Sequence, residues 1–403
     1  MMRVSDIIKK LSQPSSRRFW SKVNNDWSKA NKNIKTKEAA ASSSSDAPVV
    51  VNEIKETAPL KTVPLEETKK IQRTSEGVIA MPLSDRNPMD SGYVLYKKFP
   101  IQLGGVVMGR DRNDDKSDKF ERMWGTLNDF LVQLMDNKRP SPSIVISMSE
   151  EIINSLVQND ALVKILYIEK NTNDITSNLI DVAIVSTKIG LRLDYSDSQM
   201  KELVTCALMH DIGMLRVTGE IVLKKEKLEK TELEEIRRHP LYSYEMLKNS
   251  GFSPVVSEIA YQEQEREDGS GYPRGLKGES IHEYAKIIGL SAIYTAMLQP
   301  RPQRERKFPF QIIKEIIDKN KKQFPLHLIR ILIDELSVFP VGLYVKLNTG
   351  DIGRVVRTNR LAPMRPVIEI VRDSHHREPQ EHREYDLMKE HILAIKDTLF
   401  EII

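Results

Sequence analysis

Histidine and acidic side chains at spaced positions are the part of this sequence that could carry chemistry. His210 and Asp211 are adjacent, and His239 follows 29 residues after His210 in the segment RRHPLYSYEML. Imidazole and carboxylate groups are the side chains that hold Mn, Fe or Zn ions in proteins. Neighbouring side chains on a helix diverge by about 100 degrees, but both members of the pair can reach one metal cluster that sits at the helix end. Taken alone, the pair is better explained as a capped helix end whose histidine is hydrogen-bonded.

A run of loop-forming residues lies another 29 residues beyond His239. It reads Asp268-Gly269-Ser270-Gly271-Tyr272-Pro273, and Arg274, Lys277 and Lys286 place cations close to it. Glycine, proline and aspartate in such a cluster indicate a turn. Alone, the run is consistent with a rigid connecting loop, but its combination with the two histidine segments is far more specific.

The elements that must position these residues are helices. From residue 150 to 339 the apolar residues recur almost throughout at helical spacing, and in SDSQMKELVTCALMHD either Ser196 or Asp197 can cap the helix that ends at the His-Asp pair. We therefore predict an all-α bundle over 150–339. The period then changes to alternation in GLYVKLNTGDIGRVVR and PVIEIVRD, which predicts a small β-rich appendage over 340–403.

The N-terminal part has a different composition. Residues 1–77 are basic and rich in serine and proline, and they include KTKEAAASSSSDAP, which cannot bury enough apolar surface to form a core. We predict a disordered arm there. Residues 78–149 combine the strand-like pieces GYVLYKKF and GGVVMG with an amphipathic helix, FERMWGTLNDFLVQLMD, and predict a small mixed α/β module. The predicted fold class is therefore mainly α, with these smaller additions.

Composition excludes several classes of function. The 403 residues carry 61 Lys+Arg and 57 Asp+Glu, and a net charge of +4 is too small to argue for a nucleic-acid partner. A single cysteine, Cys206, rules out an internal disulfide and a cysteine-built zinc site, and it favours a reducing, cytoplasmic location. No run approaches the roughly 18 apolar residues of a membrane-spanning helix. Membrane association is not expected, although the basic N-terminus leaves an interfacial anchor open.

Together these segments resemble the HD-GYP family, whose members hydrolyse the bacterial second messenger cyclic di-GMP with a two- or three-metal site. The resemblance covers about residues 160–335 and rests on HDIG, the HP segment, DGSGYPRGLKG, and RPQR near the position of a family RPYR. It implies an HD-type helical bundle. It also implies that the glycine-rich loop frames the mouth of the active site and contacts proteins that make cyclic di-GMP.

Several family ligand positions are altered in this chain. Asn178 stands where the family has a histidine, Ala292 replaces an aspartate, and Met214 replaces a lysine. The family places two histidines and a glutamate where this chain has Glu263, Gln264 and Glu265. Amide side chains are poor metal ligands, and an alanine side chain supplies no ligand atom. The resemblance therefore implies a degenerate metal site.

The ligands that remain are His210, Asp211 and His239, of which Asp211 would be catalytic if the chain is active. Asp174, one helical turn before Asn178, and Glu263 are further candidate oxygen donors. The predicted cofactor is accordingly either none or one Fe, Mn or Zn ion. A methionine at 214 cannot donate a proton or neutralise charge, which argues against efficient hydrolysis.

The preferred hypothesis is therefore a catalytically weak or inactive HD-GYP-like protein of cyclic di-GMP signalling. In it the loop binds cyclic di-GMP, its linear product, or a protein such as a diguanylate cyclase: Tyr272 would stack on a guanine and nearby cations would meet phosphates. The candidate binding residues are Asp268, Gly269, Gly271, Tyr272, Pro273, Arg274, Lys286, Arg301 and Arg304. Two alternatives stay open, namely a slow metal-dependent phosphodiesterase and a scaffold that works through its arm and β appendage.

Overall fold

A computed structural model describes most of the chain from residue 115 onward. The described ranges are 115–167, 170, 174–224, 226–300, 304–359, 362–379 and 383–399. The predicted arm over 1–77 and the two strand candidates GYVLYKKF and GGVVMG lie outside them. In the described ranges the predicted fold class is confirmed, because helices are followed by one small antiparallel sheet.

Eleven α-helices form the helical part of the described chain. They are α1 Asp115–Met135, α2 Ser143–Gln158, α3 Ile175–Arg192, α4 Asp197–Met209, α5 Gly219–Leu223, α6 Lys230–Ile236, α7 His239–Lys248, α8 Pro254–Gln262, α9 Glu283–Leu298, α10 Pro309–Glu315 and α11 Leu326–Leu336. Short 3-10 turns lie at Leu162–Tyr167, Ile212–Arg216 and Gly278–Ser280, and a π turn at Ile316–Asn320.

Helix α3 is the centre of the bundle. Fifteen of its 18 residues are buried, and it packs against α2, α4, α9 and α11. A helix enclosed on nearly all sides must bury polar residues as well, and these are paired: Lys170 and Asp181 form a buried ion pair. The amino end of α3 is capped by Asp174, whose Oδ1 accepts a hydrogen bond from Ser177 N at 3.1 Å.

The start of α4 follows the sequence prediction. The backbone N–H of Ser196 donates to Gln199 Oε1 at 2.9 Å, and Ser196 Oγ accepts from Gln199 N, which is a reciprocal capping box. The helix then runs to Met209, so His210 is its C-cap residue. The His-Asp pair therefore lies at a helix end, as its chemistry requires.

The described part of the predicted 78–149 module is helical and packs on the bundle. Trp124 of α1 is buried, and its Nε1 donates to Asp174 Oδ2 at 2.9 Å. Helix α2 runs through residue 150 and packs against α3 and α4. The exact domain boundaries stay a prediction.

The C-terminal segment forms a five-stranded antiparallel sheet. Its strands are β1 Tyr344–Leu347, β2 Ile352–Arg357, β3 Val367–Arg372, β4 Glu384–Asp386 and β5 Ile395–Leu399, in the spatial order β4-β3-β2-β1-β5. Val345 of β1 pairs with Gly353 of β2 across a turn in which Gly350 has φ +98°. The sheet shares one apolar core with the helices, where the rings of Phe310 and Phe339 stack 6.2 Å apart. Among the described helices, none has the length and apolar character needed to cross a membrane.

Candidate metal centre

Gly213, in the turn after the His-Asp pair, sets the approach between α4 and α7. Its N–H donates to Ser243 Oγ at 2.8 Å. A Cβ added at Gly213 would lie 2.0 Å from the carbonyl oxygen of His239 and 2.5 Å from Ser243 N. Only glycine fits such a contact between two backbones, and the contact brings Asp211 beside His239.

Three side chains converge at this contact. His239 Nε2 lies 2.9 Å from Glu263 Oε1 and 3.4 Å from Asp211 Oδ1. One ligand atom from each of the three residues falls within 4.8 Å of the other two. We call Asp211, His239 and Glu263 the metal group, since two carboxylates and an imidazole are a donor set for one Mn, Fe or Zn ion.

Both histidines of the site are oriented by their own backbone. His210 Nδ1 lies 2.8 Å from Ala207 O, and His239 Nδ1 lies 2.7 Å from Ile236 O. A carbonyl can only accept, so each Nδ1 carries the proton and donates it. This leaves Nε2 of each ring for other partners, the arrangement found in metal-ligating histidines. His210 is buried but is not one of the three residues whose ligand atoms lie within 4.8 Å of one another.

The metal group is strongly polar, with His239 and Glu263 buried and Asp211 half-buried. Burial lowers the pKa of His239, but the charges of Asp211 and Glu263 outweigh that effect and raise it to about 9. Burial also opposes ionisation of Glu263, yet the hydrogen bond and charge of His239 hold the pKa of Glu263 below its usual value. The second carboxylate oxygen of Glu263 is buried and accepts no hydrogen bond from the described residues. A cation fits here because it would satisfy that oxygen.

Glu263 reaches the metal group because it directly follows α8. The guanidinium of Arg266 donates to the backbone carbonyls of Glu263, at 2.9 Å, and Glu265, at 2.8 Å, and so holds the chain in a tight turn. The Gln262 side chain accepts from His282 N at 2.8 Å and ties this turn to the start of α9. The sequence predicts Glu263 as an oxygen donor, and the structure places it next to His239.

The glycine-rich loop rests on this same turn. Glu265 is buried, and its two carboxylate oxygens accept from Arg274 N at 2.7 Å and Leu276 N at 2.9 Å. A Cβ at Gly271 would lie 2.5 Å from the backbone of 264–266. Glu265 therefore fixes the loop to the segment that carries Glu263, a role that sequence analysis missed although the residue stands at the family's glutamate position.

Replacing Glu265 with glutamine tests this role. We expect E265Q to lower the free energy of unfolding by about 1.5–3 kcal/mol, because an amide presents a donor to one of the two loop N–H groups and leaves it unpaired. Urea unfolding followed by circular dichroism measures the change. The matched control is E267Q, whose half-exposed carboxylate pairs with Lys286, and it should cost less than about 1 kcal/mol. Equal effects of the two variants would contradict the bracing role.

The other positions that the family resemblance marks lie outside the metal group. Asp174, proposed as an extra oxygen donor, lies outside the metal group: its carboxylate is held by Trp124 and Ser177. Met214 is buried in the apolar core, and Gln264 Oε1 accepts from Arg266 at 3.1 Å. Ala292 packs against the core from α9, and Asn178 is half-buried on α3.

Three of the four cations predicted to meet phosphates are engaged by the protein itself. Arg274 pairs with Glu258 at 2.6 Å, and Lys286 pairs with Glu267 at 3.0 Å. Arg304 donates to the carbonyl of Ala296. Arg301 lies outside the described residues.

Tyr272 lies close to the metal group. Its ring meets that of His239 edge to face, with centroids 6.2 Å apart. Burial, followed by the charges of Glu263 and Asp211, raises the pKa of Tyr272, so its phenol stays neutral.

The loop around Tyr272 is held by local contacts. Asp268 accepts from Ser270 N at 2.9 Å, and Gly269 adopts φ +79°. Pro273, which follows Tyr272, is exposed.

Comparisons with known proteins agree with this architecture. Residues 148–325 match the family described as HD domain, and residues 344–401 match the KOW domain associated with HD domain. The chain is 29% identical over 192 residues to the cyclic di-GMP phosphodiesterase PdeB of Borreliella burgdorferi, covering 48% of this chain and 51% of that protein.

Two further relatives have printed functions of the same kind. The cyclic di-GMP phosphodiesterase response regulator RpfG of Xanthomonas campestris is 36% identical over 124 residues, which is 30% of this chain and 32% of that protein. The 3'3'-cGAMP-specific phosphodiesterase 1 of Vibrio cholerae is 30% identical over 206 residues, 50% of this chain and 47% of that protein. This chain thus spans about half, or less, of the length of these relatives.

Proposed function

We propose, from the premise that residues 148–325 form an HD domain related to the HD-GYP phosphodiesterases, that this chain binds a cyclic dinucleotide at the metal group and hydrolyses it slowly or not at all. The main support for the proposal is that Asp211, His239 and Glu263 converge on one point. The glycine-rich loop, which Glu265 holds in place, lies next to them. Relatives named for cyclic di-GMP and for 3'3'-cGAMP support a cyclic dinucleotide as the ligand class.

The metal group has donors for one ion. An ion held by His239, Asp211 and Glu263 would polarise a phosphoryl oxygen and lower the pKa of bound water. The residues at 178, 264 and 292 provide no imidazole or carboxylate for further ions. Met214 can neither protonate a leaving oxygen nor neutralise its charge, which supports weak hydrolysis. We extend the proposal to a cytoplasmic location, consistent with the free, buried Cys206.

Metal binding at this site should depend on pH. With a pKa of about 9, His239 carries a proton on Nε2 at neutral pH in the metal-free protein. An ion has to displace that proton, so we expect the apparent metal affinity to rise about tenfold per pH unit between pH 6.5 and 8.5 and to level off above pH 9. Competition titrations with Mn²⁺ or Zn²⁺ at several pH values measure this slope. An affinity independent of pH over that interval would contradict His239 as a ligand.

Calorimetric titration of the full chain tests the proposed function. Cyclic di-GMP, 3'3'-cGAMP and linear pGpG are each added to the protein with and without Mn²⁺, and product formation is followed in parallel. We expect saturable binding of at least one cyclic dinucleotide, with turnover far below the one per second at the low end of ordinary enzymes. Absence of saturable binding by every nucleotide would overturn the proposal.

A slow metal-dependent phosphodiesterase is the second candidate, favoured by the retained Asp211–His239 pair. Metal analysis of anaerobically purified protein decides it, because hydrolysis needs a bound ion. Less than about 0.2 equivalents of Fe, Mn or Zn, with no activity on addition of metal, would rule it out. Contact with a diguanylate cyclase through the loop, and a scaffold role of the arm and the sheet, stay predictions.

A further inference from the structure

The mouth of the site carries an arginine that sequence analysis did not select. Arg237 follows the last residue of α6, is exposed, and has its guanidinium 5.5 Å from the centroid of the Tyr272 ring. Among the described residues it has no carboxylate partner. The neighbouring Arg238, in contrast, pairs with Glu235 at 3.5 Å. Arg274 and Lys286 are also paired, so Arg237 is a cation beside Tyr272 that no carboxylate of the described residues neutralises.

The backbone fixes Arg237 relative to the metal group. Arg237 N donates to Leu233 O at 3.0 Å, which closes the end of α6. His239 Nδ1 donates to Ile236 O at 2.7 Å, so the ring of a metal-group residue holds the residue just before Arg237. Arg237 is therefore placed by the same contact that orients His239.

The Tyr272 ring contacts both Arg237 and His239. It meets the buried imidazole edge to face and the exposed guanidinium through a cation–π contact. Stacking on a ring restricts the guanidinium but leaves its N–H donors in a planar fork, which matches the oxygens of a phosphate. A ligand that reaches the metal group beside Tyr272 meets this fork.

The charge balance at the metal group favours a cation at the position of Arg237. The metal group contains two carboxylates, and one divalent ion balances those two charges only. A phosphodiester adds another negative charge next to them. Removing that charge from water without a cation is costly, and a charge-assisted hydrogen bond to a guanidinium offsets the cost.

We infer that Arg237 is the phosphate-binding residue of this site, and that its guanidinium donates to a phosphodiester oxygen of a cyclic dinucleotide held at Asp211, His239 and Glu263. The inference rests on the proposed function, because it takes that nucleotide as the ligand. It also shifts phosphate recognition from the loop cations to the segment just before α7.

Calorimetry on four forms of the full chain tests the inference, with cyclic di-GMP as the probe. We expect R237Q to weaken binding by at least about tenfold, since a hydrogen bond to a charged group is lost. The affinity of R237K for cyclic di-GMP should lie between those of R237Q and wild type, because lysine keeps the positive charge but lacks the planar pair of donors. The matched control R238Q removes an equal charge one residue away, and its affinity for cyclic di-GMP should stay within about twofold of wild type. Salt should weaken binding less in R237Q than in wild type.

The outcomes separate this inference from the proposed function. If wild type binds and R237Q binds equally well, Arg237 is not the phosphate contact, while nucleotide binding stands. If R238Q loses as much affinity as R237Q, the effect is one of general surface charge and the inference is overturned. If wild type binds no nucleotide, the proposed function fails and the inference falls with it. Unchanged melting temperature and Mn²⁺ affinity of R237Q would show that its fold and metal group are intact.

Discussion

Replacing Gly213 with alanine is expected to lower the free energy of unfolding by about 3 kcal/mol or more and to abolish metal binding. The added Cβ would lie 2.0 Å from His239 O and 2.5 Å from Ser243 N, and both of these atoms belong to the backbone. No rotamer change relieves such a clash, so α7 must move away from the turn after α4. That movement separates Asp211 from His239, whose Oδ1 and Nε2 atoms are 3.4 Å apart.

The same substitution at another glycine is the control for G213A. Gly125 lies within α1, and a Cβ there would meet nothing within 4 Å. We expect G125A to be neutral or to stabilise the protein by up to about 1 kcal/mol, because alanine favours helix. Thermal melts and Mn²⁺ titrations on both variants make the comparison. Normal metal binding by a folded G213A protein would show that the close contact does not assemble the site.

Replacing Glu263 with glutamine is expected to weaken Mn²⁺ or Zn²⁺ binding by at least about 100-fold. Even changes next to metal ligands cost about 10–100-fold in affinity, and this change removes a charged donor from a set of three. The variant should also bring the pKa of His239 down, since Glu263 is one of the two carboxylates that raise it. Competition with a chromogenic chelator measures the affinity, and NMR titration of the imidazole measures the pKa in the metal-free protein.

D174N serves as the control for E263Q. Asp174 is a buried carboxylate like Glu263, but Trp124 and Ser177 hold it at the start of α3. We expect D174N to destabilise the protein and to leave the metal affinity within about threefold of wild type. A large loss of affinity in D174N would return Asp174 to the set of ligands.

Local rules predicted the helix end that carries the chemistry. Ser196 and the apolar spacing after it are short-range signals, so the cap of α4 and the position of the His-Asp pair could be predicted from the sequence. Glu263 could be proposed as a donor because its place in the motif was known. The packing of Gly213 on α7 could not be predicted from the sequence, since it depends on how two distant segments meet.

Contacts between residues far apart in the chain determine features of the site that local sequence patterns could not predict. Asp174 was proposed as a ligand, but its partner Trp124 lies 50 residues earlier in the chain. Arg274 and Lys286 were proposed to meet phosphates, yet each is paired with a carboxylate from another segment. Arg237 has no distinguishing pattern in the sequence, and only its position over Tyr272 reveals it.

The bracing of the loop by Glu265 affects how such motifs are interpreted in other genomes. Since Glu265 and Gly271 join the DGSGYP run to the turn that follows α8, the run has a structural role in addition to any part it plays in chemistry. Replacing a metal ligand leaves these contacts of the run in place, whereas altering the run removes contacts that stabilise the fold. An intact DGSGYP run therefore identifies the architecture, and the residues at the ligand positions have to be inspected separately before a chain is counted as a hydrolase.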